Sequence, residues 1–286
     1  MDQETLKAHW KVREYGYRIA EEVRTAALRN LPQPVVSPAR NPPREVEVEE
    51  LPLEEARKLW KARLTGYQVA EDTRVEALRN RDREGWLRSL HSLFFVREPH
   101  TTLFVNALRV QRAIRSAGLR FCFVGGVPLQ HWGEVRVTTD VDLTVLCELG
   151  DELRVGRLLW ELFLPRVDDP EDLAVRRRMF LGRLPDGTPV DVSLAGIPYE
   201  RRMIDRARDV DFGIEAPLFC CGPEDLVITK TVAGRLQDWV DIKRIIQRSG
   251  RSMDWDIVWD ELPALLNLVE EPERLGQLRE LVEQER

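Results

Sequence analysis

Two aspartates one residue apart, Asp140 and Asp142, follow the glycine pair Gly125-Gly126 in the stretch FCFVGGVPLQHWGEVRVTTDVDLTVL, positions 121 to 146. Along a strand, alternate side chains share a face, so the two carboxylates project together while Val141 and Leu143 turn toward a core. Neighbouring carboxylates repel each other unless a cation lies between them, and the pattern therefore points to a divalent-metal site. A DxD taken alone also fits a strand edge with two solvated acids. A turn without Cβ atoms lets backbone N–H groups approach a phosphate, and a helix start adds a favourable dipole. Hard oxygen ligands beside a phosphate suit Mg2+ better than zinc, and the chemistry inferred is transfer from a nucleoside triphosphate.

These residues need elements to hold them. An apolar strand from Phe121 to Val124 is expected, then the glycine turn, a short helical segment and a second strand from Val137 to Leu146. A helix beginning at Thr101, with Leu103, Ala107, Val110 and Ile114 on its buried face, delivers the chain to the first strand and stops at Gly118. Downstream, a helix is expected from Asp151 to Leu164, and then a hairpin of MFLGRL and VDVSL around Pro185-Asp186-Gly187. In VDVSL, Val190, Val192 and Leu194 share one face, and Asp191 points the other way beside Ser193. A helix starting at CGPEDLVITK, with Pro223 in its first turn, carries Lys230. It pauses at Gly234, and a second helix follows with Trp239, Ile242, Ile245 and Ile246. From Met253 onward the pattern is helical.

Taken together, Gly-Gly, thirteen residues, the run R-V-T-T-D-V-D, the aspartate of VDVSL and ITKTVAGRLQDWVDI resemble the DNA polymerase β-like nucleotidyltransferases. Within them the chain is most similar to the AbiEii-like branch, the toxins of type IV toxin–antitoxin systems. The resemblance covers roughly residues 100 to 250 and implies an α/β (α+β) fold: a small mixed-sheet core, a C-terminal helical cap and an N-terminal helical repeat arm. It implies that Asp140, Asp142 and Asp191 are the metal ligands for two Mg2+ ions, with Asp191 also taking the proton of the attacking hydroxyl. It further implies that Gly125 and Gly126 cradle the phosphates of an NTP, that Arg136 and Thr138 orient the aspartates, and that Lys230 reaches the triphosphate. Asp238 or Asp241 would partner Lys230. Many relatives carry Gly-Ser where this chain has Gly-Gly. His131, on the helix after the glycines, is read as a packing residue.

The N-terminal part lies outside the resemblance. HWKVREYGYRIAEEVRTAALRN at 9 to 30 returns as LWKARLTGYQVAEDTRVEALRN at 59 to 80, each copy an amphipathic helix of about six turns. The boundaries expected are residues 1 to 30 for the first copy, 31 to 50 for a Pro-rich linker, 51 to 97 for a second helical segment, 98 to 215 for the catalytic core and 216 to 286 for the C-terminal helical domain. A short helix is expected from Gly85 to Phe95. The repeat suggests a homodimer contact, a structural arm or an inhibitor of the cleft in cis.

The 286 residues are 43% hydrophobic, and the formal net charge is -6, so no global basic field of the kind that coats nucleic acid exists. Arg176, Arg177, Arg178, Arg201, Arg202, Arg206 and Arg208 could form a local RNA patch, or a salt-bridged face with the acids interleaved among them. No signal-peptide core or membrane-length apolar run is present, and the expectation is a cytoplasmic protein with no membrane partner. The four cysteines show no zinc spacing and read as buried free thiols. The leading function is nucleotidyl transfer from an NTP to an acceptor hydroxyl, by resemblance that of RNA or tRNA, with an antitoxin protein as a further partner. The alternatives are a small-molecule acceptor of the aminoglycoside type, or a non-catalytic nucleotide-binding module.

Overall fold

A computed structural model describes residues 53–79, 99–134 and 138–285. The first repeat copy, the Pro-rich linker, the helix expected at Gly85 to Phe95 and Arg136 lie outside the described residues. At the centre is a mixed sheet of strands β1 (Phe121–Phe123), β2 (Val141–Leu146), β3 (Leu164–Pro165), β4 (Met179–Arg183), β5 (Pro189–Ala195), β6 (Arg208–Val210) and β7 (Leu218–Cys220). Their spatial order is β3-β4-β5-β2-β1-β7-β6. The β4–β5 hairpin turns at Pro185-Asp186-Gly187, where Gly187 has φ +89, a conformation that favours glycine. Strand β5 then returns to lie parallel to β2.

The two central strands β2 and β5 alternate apolar with polar residues, so that one face of the pair packs into the main core. Val141, Leu143 and Val145 of β2, and Val190, Val192 and Leu194 of β5, are buried together with Phe121 and Phe123. The opposite face carries polar residues in rows. Thr144 pairs with Ser193 across the β2–β5 register, and their hydroxyls are 2.8 Å apart. This buried hydrogen bond satisfies two groups that could not face an apolar core unpaired.

Helices flank the sheet: α1 (Leu53–Arg79), α2 (Pro99–Ser116), α3 (Gly126–Trp132), α4 (Glu152–Leu162), α5 (Pro170–Arg177) and α6 (Pro198–Arg206). Helices α7 (Pro223–Ala233), α8 (Leu236–Ser249), α9 (Trp255–Val269) and α10 (Arg274–Glu285) form the C-terminal helical part. Helix α7 begins with Pro223 behind Gly222 and ends at Gly234 in the left-handed conformation, as its capping residues dictate. Helix α1 contains the second repeat copy through Arg79. Its Ala56 and Trp60 join the main core, and its Ala70 packs with Leu173, Met179 and Leu181.

Four local expectations change. The second strand starts at Val141 rather than Val137, and the helix expected to reach Leu164 ends at Leu162, where the chain enters β3. Helices α5 and α6 and the short strands β3, β6 and β7 were not anticipated. Helix α5 is nonetheless well signalled, with Asp169 accepting a hydrogen bond from the Asp172 N–H at 2.9 Å, Pro170 in its first turn and Arg178 in the left-handed conformation at its end. Strands of two or three residues carry too little periodicity to be distinguished from loops.

Candidate active site

The register of two parallel strands builds the site. Asp142 of β2 lies directly opposite Asp191 of β5, and Asp140, two residues before Asp142, reaches the same place from the end of the strand. One carboxylate oxygen from each of Asp140, Asp142 and Asp191 can be chosen so that all lie within 4.8 Å of one another. Asp140 is 9% exposed and Asp191 is 7% exposed. Like charges grouped this closely repel, which favours a cation held among their oxygens. Oxygen donors grouped in this way fit a hard divalent ion such as Mg2+.

The glycine pair is fitted to these acids. Gly125 has φ 62 and ψ -128, and a Cβ there would collide with the Asp142 carboxylate. A Cβ on Gly126 would strike Thr138, and the Gly126 N–H points to Asp142 Oδ2 at 3.5 Å. Both positions thus require glycine for close approach to the acidic strand. Thr138 accepts a hydrogen bond from Gln130 Nε2 at 3.2 Å, which ties the segment before Asp140 to α3.

Lys230 belongs to a second ionic group. Its Nζ donates to Asp241 Oδ2 at 2.6 Å and to Asp238 Oδ1 at 3.1 Å, so both aspartates on the α8 face pair with it. Lys230 is 8% exposed, and each aspartate is 5% exposed. Gln237 Nε2 donates to Asp241 at 3.0 Å, and Arg235 Nε donates to Asp238 at 2.9 Å. Burial pushes the Asp238 pKa up, but the charges of Lys230 and Arg235 and their hydrogen bonds outweigh it, and the net shift is downward. The helix carrying Lys230 packs against α3.

Arg166 carries no signal in the sequence. Its Nη2 donates to Asp191 Oδ1, and it follows the edge strand β3 rather than belonging to any motif. Helix α3 also places the His131 ring edge-on to Trp132 and Phe212. Burial, with the charges of Arg248 and Arg208, lowers the His131 pKa to about 4. A neutral, packed imidazole of such low basicity is no general base near neutrality, in keeping with its reading as a packing residue.

The arginine cluster resolves toward ion pairing. Arg176 pairs with Asp172, Arg178 with Glu152, Arg201 with Glu148, Arg202 with Glu261, Arg206 with Asp225 and Glu261, and Arg208 with Glu224. Arg178 is 2% exposed and also donates to the carbonyls of Cys147, Leu194 and Ala195. It is a structural bolt rather than part of an RNA surface. The four cysteines are buried free thiols, as expected, and no described helix is long and apolar enough to cross a membrane.

No protein-family profile and no curated protein sequence matches the chain. Among solved structures, it is similar to an antigenic nucleotidyltransferase-like protein from Paracoccidioides brasiliensis, at 15% identity over 63% of this chain and 91% of that one, with a TM-score of 0.41. It is also similar to the antibiotic-resistance factor ANT(2'')-Ia, at 15% identity over 62% of this chain and 98% of the other, with a TM-score of 0.39. At these scores the likeness is one of gross architecture.

Proposed function

We propose that the chain is a divalent-metal-dependent nucleotidyltransferase that moves a nucleoside monophosphate from an NTP to an acceptor hydroxyl. The observation that carries this reading is the convergence of Asp140, Asp142 and Asp191, two of them fixed opposite each other by strand register. Asp140 and Asp142 would hold the cation that meets the triphosphate, and Asp191 would complete the ligand set on the acceptor side. Bound divalent cations supply charge neutralisation at the entering and leaving oxygens. The chain itself contributes position: the close glycine turn lets the triphosphate approach Asp142, and a rigid central strand pair keeps the carboxylates in place. Asp191 accepts the proton of the acceptor hydroxyl as its oxygen bonds to the α-phosphorus and the bond to pyrophosphate breaks. The resemblance would have Lys230 reach the triphosphate, for which its ammonium would have to exchange its bonds to Asp238 and Asp241 for phosphate oxygens.

The sequence resemblance favours RNA, in particular tRNA, as acceptor and a toxin-like role with an antitoxin partner. A second reading, a small hydroxyl-bearing acceptor, is favoured by the arginines, since six of the seven that could have followed an RNA backbone are engaged by carboxylates. The test is incubation of the protein and of Asp140→Ala with Mg2+, each α-labelled NTP, and either total RNA or a panel of aminoglycosides. Label entering RNA or an aminoglycoside with the intact protein alone is the expected result and names the acceptor class. Equal labelling by Asp140→Ala would contradict the assignment.

A further inference from the structure

Arg166 stands immediately after β3, and its backbone N–H donates to the Leu181 carbonyl at 2.9 Å. Leu181 in turn lies opposite Asp191, and Asp191 opposite Asp142. Arg166, Leu181, Asp191 and Asp142 therefore form one row across the sheet, running from its edge to the carboxylates. The Arg166 guanidinium reaches along this row to Asp191 Oδ1, and the two side chains are 12% and 7% exposed. Its Nε is buried with no hydrogen-bond partner among the described residues. Arg178 spends its donors on three carbonyls and a carboxylate within the fold, whereas the one ion pair of Arg166 among the described residues is with a member of the acidic group, Asp191.

We propose that Arg166 is a counter-ion of Asp191, and that its guanidinium and a divalent cation compete for that carboxylate. Arg166 is then a positioning residue that sets the affinity of the triad for the metal. The proposal rests on the metal-dependent reading of the site. The guanidinium brings a positive charge into contact with Asp191. A divalent ion taking Asp191 as a ligand would face that charge at contact distance, where like charges with little access to water repel strongly. Placement at the sheet edge gives the long side chain a way to leave without moving the central strands.

The test uses the full chain and Mg2+ alone. Calorimetric titration is expected to show Mg2+ bound about ten-fold or more tightly by Arg166→Met than by the wild type, through removal of the competing charge. In the wild type, the arginine Nε–Hε NMR signal assigned to Arg166 by its absence from Arg166→Lys is expected to shift as Mg2+ is added, and to stay fixed in Asp191→Asn. Unchanged or weaker Mg2+ binding by Arg166→Met, with binding still abolished by Asp140→Ala, would overturn the competition while leaving the metal site standing. A wild-type Arg166 signal unmoved at saturating Mg2+ would do the same without relying on a variant. If neither the wild type nor Arg166→Met binds Mg2+, both the competition and the metal reading fall.

Discussion

Lys230 is the centre of a buried ionic group. With its ammonium between two aspartates that are each 5% exposed, it neutralises a buried pair of like charges that would otherwise be costly. Lys230→Met is expected to destabilise the protein by about 3 kcal/mol in urea unfolding, as removal of one partner from a buried ion pair does. A change under about 1 kcal/mol would show that the cluster is wetter than its geometry implies. The downward shift at Asp238 fixes the sign of the pH dependence. Its contribution is present above the ordinary carboxylate pKa and is lost as pH falls through the lower folded-state value. Lys230 and an aspartate partner were implied by the family resemblance, and helical spacing put Asp238 and Asp241 on one face without saying which of them meets the lysine. Arg166 was not, because nothing in a lone arginine after a short edge strand marks a partner 25 residues away.

Elements, rather than motifs, decide how the acids meet. The alternation of Asp140, Val141, Asp142 and Leu143 already implies two carboxylates on one face. Sequence alone could not supply the parallel pairing that sets Asp142 against Asp191, since that register joins segments separated by two helices and two strands. The glycine turn is the element most sensitive to change. Gly125→Ala adds a Cβ where φ is 62 and where the Asp142 carboxylate already sits. It is expected to cost about 1–3 kcal/mol and to abolish Mg2+ binding by pushing Asp142 aside. Gly187→Ala, at φ +89 with open space around the added atom, should cost stability but leave Mg2+ binding intact. Comparable metal affinity in both variants would show that the Gly125 contact does not position Asp142. The short strands β3, β6 and β7 escaped the sequence because backbone pairing with longer neighbours, not side-chain pattern, makes them strands.

In the whole molecule, the second repeat copy belongs to the folded body. Trp60 is 6% exposed within the main core, and Gly66 sits so close to Met179 and the Arg177 carbonyl that a side chain would clash. Trp60→Ala is expected to lower stability by about 3–4 kcal/mol; a value below about 1 kcal/mol would mean that α1 is only loosely attached. Removing residues 1–97 would therefore test folding before it tested inhibition of the cleft. The amphipathic period of this copy was readable, but not the surface that receives it, because periodicity names a buried face without naming its partner. The most direct test of the account is Mn2+ binding, followed by electron paramagnetic resonance with a non-hydrolysable NTP present, in the wild type and in Asp142→Asn. The account predicts that the wild type takes up Mn2+ and that Asp142→Asn binds it at least about ten-fold more weakly, the loss of one carboxylate from a three-carboxylate site. Equal affinity in the two proteins, or no uptake by the wild type, would contradict a metal centre at Asp140, Asp142 and Asp191.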